Sequence, residues 1–274
     1  MKFAICQELY EDRPWREQCR AIADAGYAGV EIAPFSFAGS PVDLVATERA
    51  AIRREAEDAG LEIIGLHWLL AKTTGFHLTS DDPAVRRATA DYLAQLGDLC
   101  ADLGGTLMVF GSPAQRNLRP GLSRDEGADR AVEVFAGCAD RLASRGVTLC
   151  IEPLTPKETN FINRCSDAVE IIQRLNHQAF ALHQDVKAML SEGTPLPELI
   201  REFAGVTRHF HANDSNLLGP GMGDTDFVPI FQALGDVAYS GWVSVEVFDY
   251  SPGADRIARE SIAAMRAALA ARHG

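Results

Sequence analysis

The chain has 274 residues, 47% of them hydrophobic, and carries 26 Lys and Arg against 38 Asp and Glu for a formal charge of −12. That apolar share supports a packed core, and the length suits one α/β domain over 1–274. The acidic balance repels phosphate backbones and argues against a nucleic-acid partner. In chain order, short apolar runs occur at Phe3–Ile5, Gly29–Ile32, Leu61–Leu66, Thr106–Phe110, Val147–Ile151, Phe180–Leu182, Val206–Phe210 and Trp242–Val245. Each reads as a buried strand. Between them, apolar residues recur at helical spacing over Trp15–Ala25, Ala46–Ala59, Ala84–Leu103, Glu126–Ser144, Ser166–Leu175 and Ile257–Ala271. Gly26, Gly60 and Gly146 stand where helices should stop, and Thr79–Pro83 reads as the cap of a helix that runs from Ala84.

Eight alternations of strand and helix with no linker predict a closed (β/α)8 TIM barrel. An open doubly wound sheet is disfavoured because no glycine-rich turn follows the first strand. No stretch approaches the ~18 unbroken apolar residues of a membrane span. Gln7 and Glu8 interrupt the N-terminal run before a signal-peptide core is complete. A cytoplasmic protein without membrane contact is therefore expected. The six cysteines (Cys6, Cys19, Cys100, Cys138, Cys150 and Cys165) form no Cys-x-x-Cys pair and are expected to be reduced and structural.

Function in such a barrel sits at the C-terminal ends of the strands. Strand five ends on Glu152, strand six on Asp185, strand seven on His211 and strand eight on Glu246. Three carboxylates aimed into a barrel are costly unless a cation compensates them. Carboxylate oxygens with one imidazole nitrogen suit one divalent ion, Mn2+ first, with Co2+ or Mg2+ as alternatives. His183 and His209, one layer deeper, are expected to be hydrogen-bonded core or supporting residues. His67 either walls the pocket or packs; His77, His177 and His273 are expected in solvent. Glu158 is either a pocket group or a solvated loop charge. Lys187, at the pocket mouth, either orients an oxyanion or lies on the surface. Phe35 and Phe37 are expected to pack, and the glycine-rich loop Asn213–Asp224 to cradle substrate.

Glu152, Asp185, His211 and Glu246 together resemble the ligand set of the xylose isomerase-like TIM-barrel superfamily, with the nearest likeness to the ketose 3-epimerases. The resemblance spans essentially the whole chain. It implies that these four residues bind one divalent metal, that Glu152 and Glu246 handle protons, and that Glu158 binds substrate; from their places at the pocket, His67 and Lys187 are expected as further substrate contacts. It departs at two places: the epimerases carry a substrate histidine where this chain has Ala188, and an arginine where it has Leu217. The implied reaction is isomerisation or epimerisation of a small keto-sugar or keto-polyol through an enediolate, by a possible homodimer or homotetramer. Two alternatives are a dehydratase of the inosose dehydratase type and, on the likeness of His211–Asp214 to a strand-seven motif, an apurinic endonuclease.

Overall fold

In the computed structural model, which describes residues 1–38 and 40–271, eight parallel strands pair in sequence order and the eighth closes on the first. The strands are β1 Lys2–Cys6, β2 Gly29–Ile32, β3 Glu62–Leu66, β4 Leu107–Phe110, β5 Thr148–Ile151, β6 Phe180–Asp185, β7 Thr207–Ala212 and β8 Trp242–Val245. The helices are α1 Trp15–Ala25, α2 Ala46–Asp58, α3 Pro83–Asp102, α4 Arg124–Ser144, α5 Cys165–Leu175, α6 Val186–Met189, α7 Leu196–Glu202, α8 Phe227–Asp236 and α9 Ala254–Ala271. The TIM barrel read from the alternation is thus the observed fold, and the expected helices lie within three residues of those found. Among the described residues, no helix is long and apolar enough to cross a membrane. His273 lies outside them.

The capping signals act as their chemistry requires. Asp82 accepts the Ala84 N–H at 2.8 Å with Pro83 in the first turn, and Gly26 ends α1 in the left-handed region at φ +102°. Helices α6, α7 and α8 escape the periodicity. The first is a single turn, the second is seven residues with Pro195 before it and Pro197 in its first turn, and the third is apolar on most sides with Pro229 inside it.

Strands β6 and β7 run past their apolar runs, because polar residues continue the ladder: His183 pairs with His209, and Asp185 with His211. The main core lies between the strands' outer faces and the helices. A small separate cluster of Leu107, Val109, Cys150 and Ala181 fills the lower barrel. Strand alternation carries those inward positions upward, to Gly111 after β4, Glu152 after β5, and His183 and Asp185 on β6. The barrel is therefore apolar at its base and ionisable at its top.

Candidate active site

The lowest polar layer is built on Glu31 of β2, which is fully buried. One carboxylate oxygen lies 2.8 Å from His209 Nε2 and 3.1 Å from His211 Nε2. Burial alone would raise the Glu31 carboxyl, but the two imidazoles outweigh it and hold it well below the usual carboxylate range. Burial likewise disfavours a charged His211, yet Glu31 and Glu246 overcome that and raise it well above an ordinary histidine. His211 Nδ1 faces Glu246 Oε2 at 3.2 Å, so one imidazole bridges two acids.

Glu246, directly after β8, is surrounded by donors. Its Oε1 accepts Trp68 Nε1–H at 2.9 Å and lies 3.3 Å from His67 Nδ1. Although burial pushes it up, His211 and His67 hold it well below the ordinary value. His67 Nε2 reaches Glu8 at 2.9 Å, so His67 is a buried link between two carboxylates rather than a simple pocket wall.

Glu152 is placed differently. Burial, Glu246 and Asp185 push its carboxyl up to about 8. Its main chain is clamped by Arg116, in the loop after β4, which is fully buried. The guanidinium donates to Glu152 O and Phe110 O at 2.6 Å each and to Ser112 O at 3.2 Å. Space for the carboxylate comes from Gly111, where a Cβ would lie 1.7 Å from Glu152 Oε2. Asp185 caps α6 by accepting Ala188 N–H at 2.7 Å, and accepts Asn213 Nδ2–H at 2.5 Å. Burial raises its carboxyl, with Lys187 opposing.

The structure therefore brings together the four strand-end residues singled out in the sequence. Glu152, Asp185 and His211, with His183, each offer a ligand atom, and these atoms lie within 4.8 Å of one another. Glu246 joins them through His211. His183 corrects its expectation: it is fully buried, and neither ring nitrogen has a hydrogen-bond partner among the described residues. His209 behaves as expected, bonded to Glu31. An imidazole with two orphaned nitrogens beside two carboxylates that burial drives toward protonation is an arrangement that a divalent cation completes. The donor set of oxygen and imidazole nitrogen fits such an ion.

Above this layer lies a cavity of about 400 Å³ lined by Trp68, Ser112, Gln115, Glu152, Glu246 and Phe248, among others. Lys187 and Glu158 form its outer wall. Lys187 Nζ lies 2.7 Å from Glu158 Oε1 and 3.9 Å from the Phe248 ring centre, and Glu158 also accepts from the Thr155 N–H and hydroxyl. Neither is the solvated surface charge that the sequence left open.

Other expectations resolve as follows. His77 and His177 are half-buried rather than solvated, and each Nδ1 accepts a backbone N–H at 3.2 Å. Phe37 packs edge-on against Trp15, and Phe35 packs beside Trp68. The glycine-rich loop is organised on Asp214, whose carboxylate accepts the N–H groups of Ser215, Gly223 and Thr225. All six cysteines are free and buried. Sequence reasoning missed the roles of Glu31, Glu8, Gly111 and Arg116. An acid at an inward strand position was a usable signal for Glu31. Nothing periodic marks Arg116.

A family model described as xylose isomerase-like TIM barrel matches residues 19–268. The chain belongs to this family. Among its relatives, a ketose 3-epimerase of Arthrobacter globiformis is 29% identical over 184 residues, covering 66% of this chain and 63% of that protein. The match thus spans a little under two thirds of that relative's length. A D-psicose 3-epimerase of Agrobacterium fabrum is 30% identical over 213 residues, covering 73% of this chain and 69% of that one. The crystal structure of D-psicose 3-epimerase with D-tagatose from Clostridium cellulolyticum H10 shares the fold at a TM-score of 0.86. It has 21% identity to this chain, with 98% of this chain and 99% of that one covered.

Proposed function

We propose that this family member is a divalent-metal-dependent epimerase that inverts a carbon next to the ketone of a small keto-sugar. The observation that carries the reading is that Glu152 and Glu246 line one cavity in different surroundings, so that two carboxylates face one substrate site. In the metal-free fold Trp68, His67 and His211 surround Glu246 and hold it well below the ordinary value, whereas burial, Glu246 and Asp185 push Glu152 up to about 8. Two titratable groups whose surroundings push them apart are the arrangement that acid–base exchange needs.

Glu152, Asp185, His211 and Glu246 would hold the ion, and His183 adjoins them with a ligand atom within 4.8 Å of those of Glu152, Asp185 and His211. When bound, a divalent ion, Mn2+ in this reading, supplies Lewis-acid polarisation of the ketone. The chain supplies the rest. Glu246 withdraws the proton from the carbon beside the ketone, leaving an enediolate. Glu152 then delivers a proton to the opposite face of that carbon, which inverts it. Trp68 and His67 keep Glu246 aimed, Arg116 keeps the Glu152 main chain fixed, and Trp68 and Phe248 exclude water. The relatives named as ketose 3-epimerases support the substrate class.

The test is NMR in D2O with Mn2+-loaded protein and a panel of ketoses. Deuterium should enter the carbon next to the ketone as a stereoisomer accumulates, and Glu246→Gln should slow that exchange at least a thousandfold. Near-normal exchange by the variant overturns the assignment. Exchange with loss of water would make the protein a dehydratase.

A further inference from the structure

The catalytic cavity does not end the binding surface. Across Glu158, Lys187 and Phe248 lies a second, wider groove of about 750 Å³, and these three residues line both. Its rim carries the polar side chains Thr155, Lys157, Ser191 and Ser215, and between them Leu190 and Leu217 stand 44% and 42% exposed, two of the few large apolar side chains left in water among the described residues. Single exposed leucines need no explanation. Two facing an aromatic ring at the mouth of an active cavity are different.

Leu217 carries a second signal. Its backbone sits in the left-handed region at φ +71°, which strains a bulky side chain and which Asn or Gly would occupy without strain. The conformation is firmly held. Leu217 N–H donates to Asp214 O at 3.0 Å, and its carbonyl accepts the N–H groups of Phe248 and Asp249 at 2.9 and 3.2 Å. A strained, well-anchored leucine projecting into solvent beside the cavity indicates a surface kept for contact. At the junction, Lys187 is already neutralised by Glu158 and lies over Phe248, so it offers no free charge to an anionic group.

We propose that the substrate is a keto-sugar bearing a neutral apolar substituent, such as an aryl or alkyl ether, that leaves the ketone free. The sugar occupies the inner cavity, and the substituent lies in the outer groove against Phe248, Leu190 and Leu217. This rests on the epimerase reading and adds the substrate's second half.

The experiment compares D-fructose, D-tagatose and D-psicose with their 1-O-benzyl and 6-O-benzyl ethers, using Mn2+-loaded protein in D2O and calorimetric binding in parallel. One benzyl ether should show a KM and a Kd about tenfold or more below those of its parent sugar. Leu217→Asn, which suits the left-handed backbone, should shrink that ratio toward one. Equal constants for ethers and parents, with exchange proceeding, overturn the substituent site and leave the epimerase reading standing. No exchange with any of these sugars overturns the epimerase reading itself. A ratio unchanged by Leu217→Asn overturns the groove assignment. So does a change in oligomeric state on size exclusion with the ratio intact, which would make the groove a contact between copies of this chain.

Discussion

At the scale of single residues, the site depends on what is absent as much as on what is present. Gly111 has an ordinary backbone conformation, so alanine there costs little in the chain itself. Its Cβ, however, would occupy the position of Glu152 Oε2. Gly111→Ala should leave the melting temperature within a few degrees while displacing the carboxylate and weakening Mn2+ binding at least tenfold, measured by calorimetry. Unchanged affinity would show that Glu152 does not serve the ion. His183 gives a complementary test. Its orphaned nitrogens make it a further nitrogen donor beside Glu152, Asp185 and His211, and imidazole favours Co2+ over Mg2+. His183→Leu should therefore lower Co2+ affinity by about tenfold while barely altering that for Mg2+. Equal losses for both ions would assign His183 to packing alone.

At the scale of elements, strand ends and the loops after them decide the geometry. The strand-end acids and His211 were legible because a carboxylate closing an apolar run is chemically conspicuous. Glu31 was not singled out, since one acid inside Gly29–Ile32 resembles the polar half of an alternating strand until the closed barrel makes that position interior. Arg116 was invisible for another reason: it lies in a loop, and only the folded chain shows that three main-chain carbonyls converge on it. It ties the end of β4 to the start of the loop after β5, through Phe110 O and Glu152 O. Arg116→Met keeps the stem's volume and removes every donor, stranding the buried carbonyls of Ser112 and Glu152, while Phe110 O keeps the Glu152 N–H at 3.2 Å. Urea unfolding should show a loss of about 3 kcal/mol or more. A loss below about 1 kcal/mol would mean that water replaces the guanidinium without cost.

At the scale of the whole molecule, the alternation of strand and helix made the barrel readable, because each parallel strand is buried on both faces and so appears as a compact apolar run. The unread part, α6 to α8, lies where proline and all-round apolarity blur the helical period. The closed barrel also concentrates acid at one end, and this sets how stability responds to pH. Burial and the acids Glu246 and Asp185 raise Glu152 from an ordinary 4.5 to about 8 in the fold. Between those values the folded protein keeps a proton that the unfolded chain has released. Unfolding then releases that proton, and raising the pH favours it. The contribution of Glu152 is thus fully favourable below about pH 4.5, is lost as pH rises toward 8, and is constant beyond. Glu152→Gln cannot titrate and lacks this slope. In EDTA, the melting temperature of the wild type should fall relative to that of Glu152→Gln between about pH 5 and 8. Saturating Mn2+ should shrink the fall, because a cation competes with the proton for the carboxyl and its binding strengthens as the carboxyl ionises. Parallel melting curves for the two proteins in EDTA would show that Glu152 titrates as an ordinary carboxylate and would remove the acid role assigned to it.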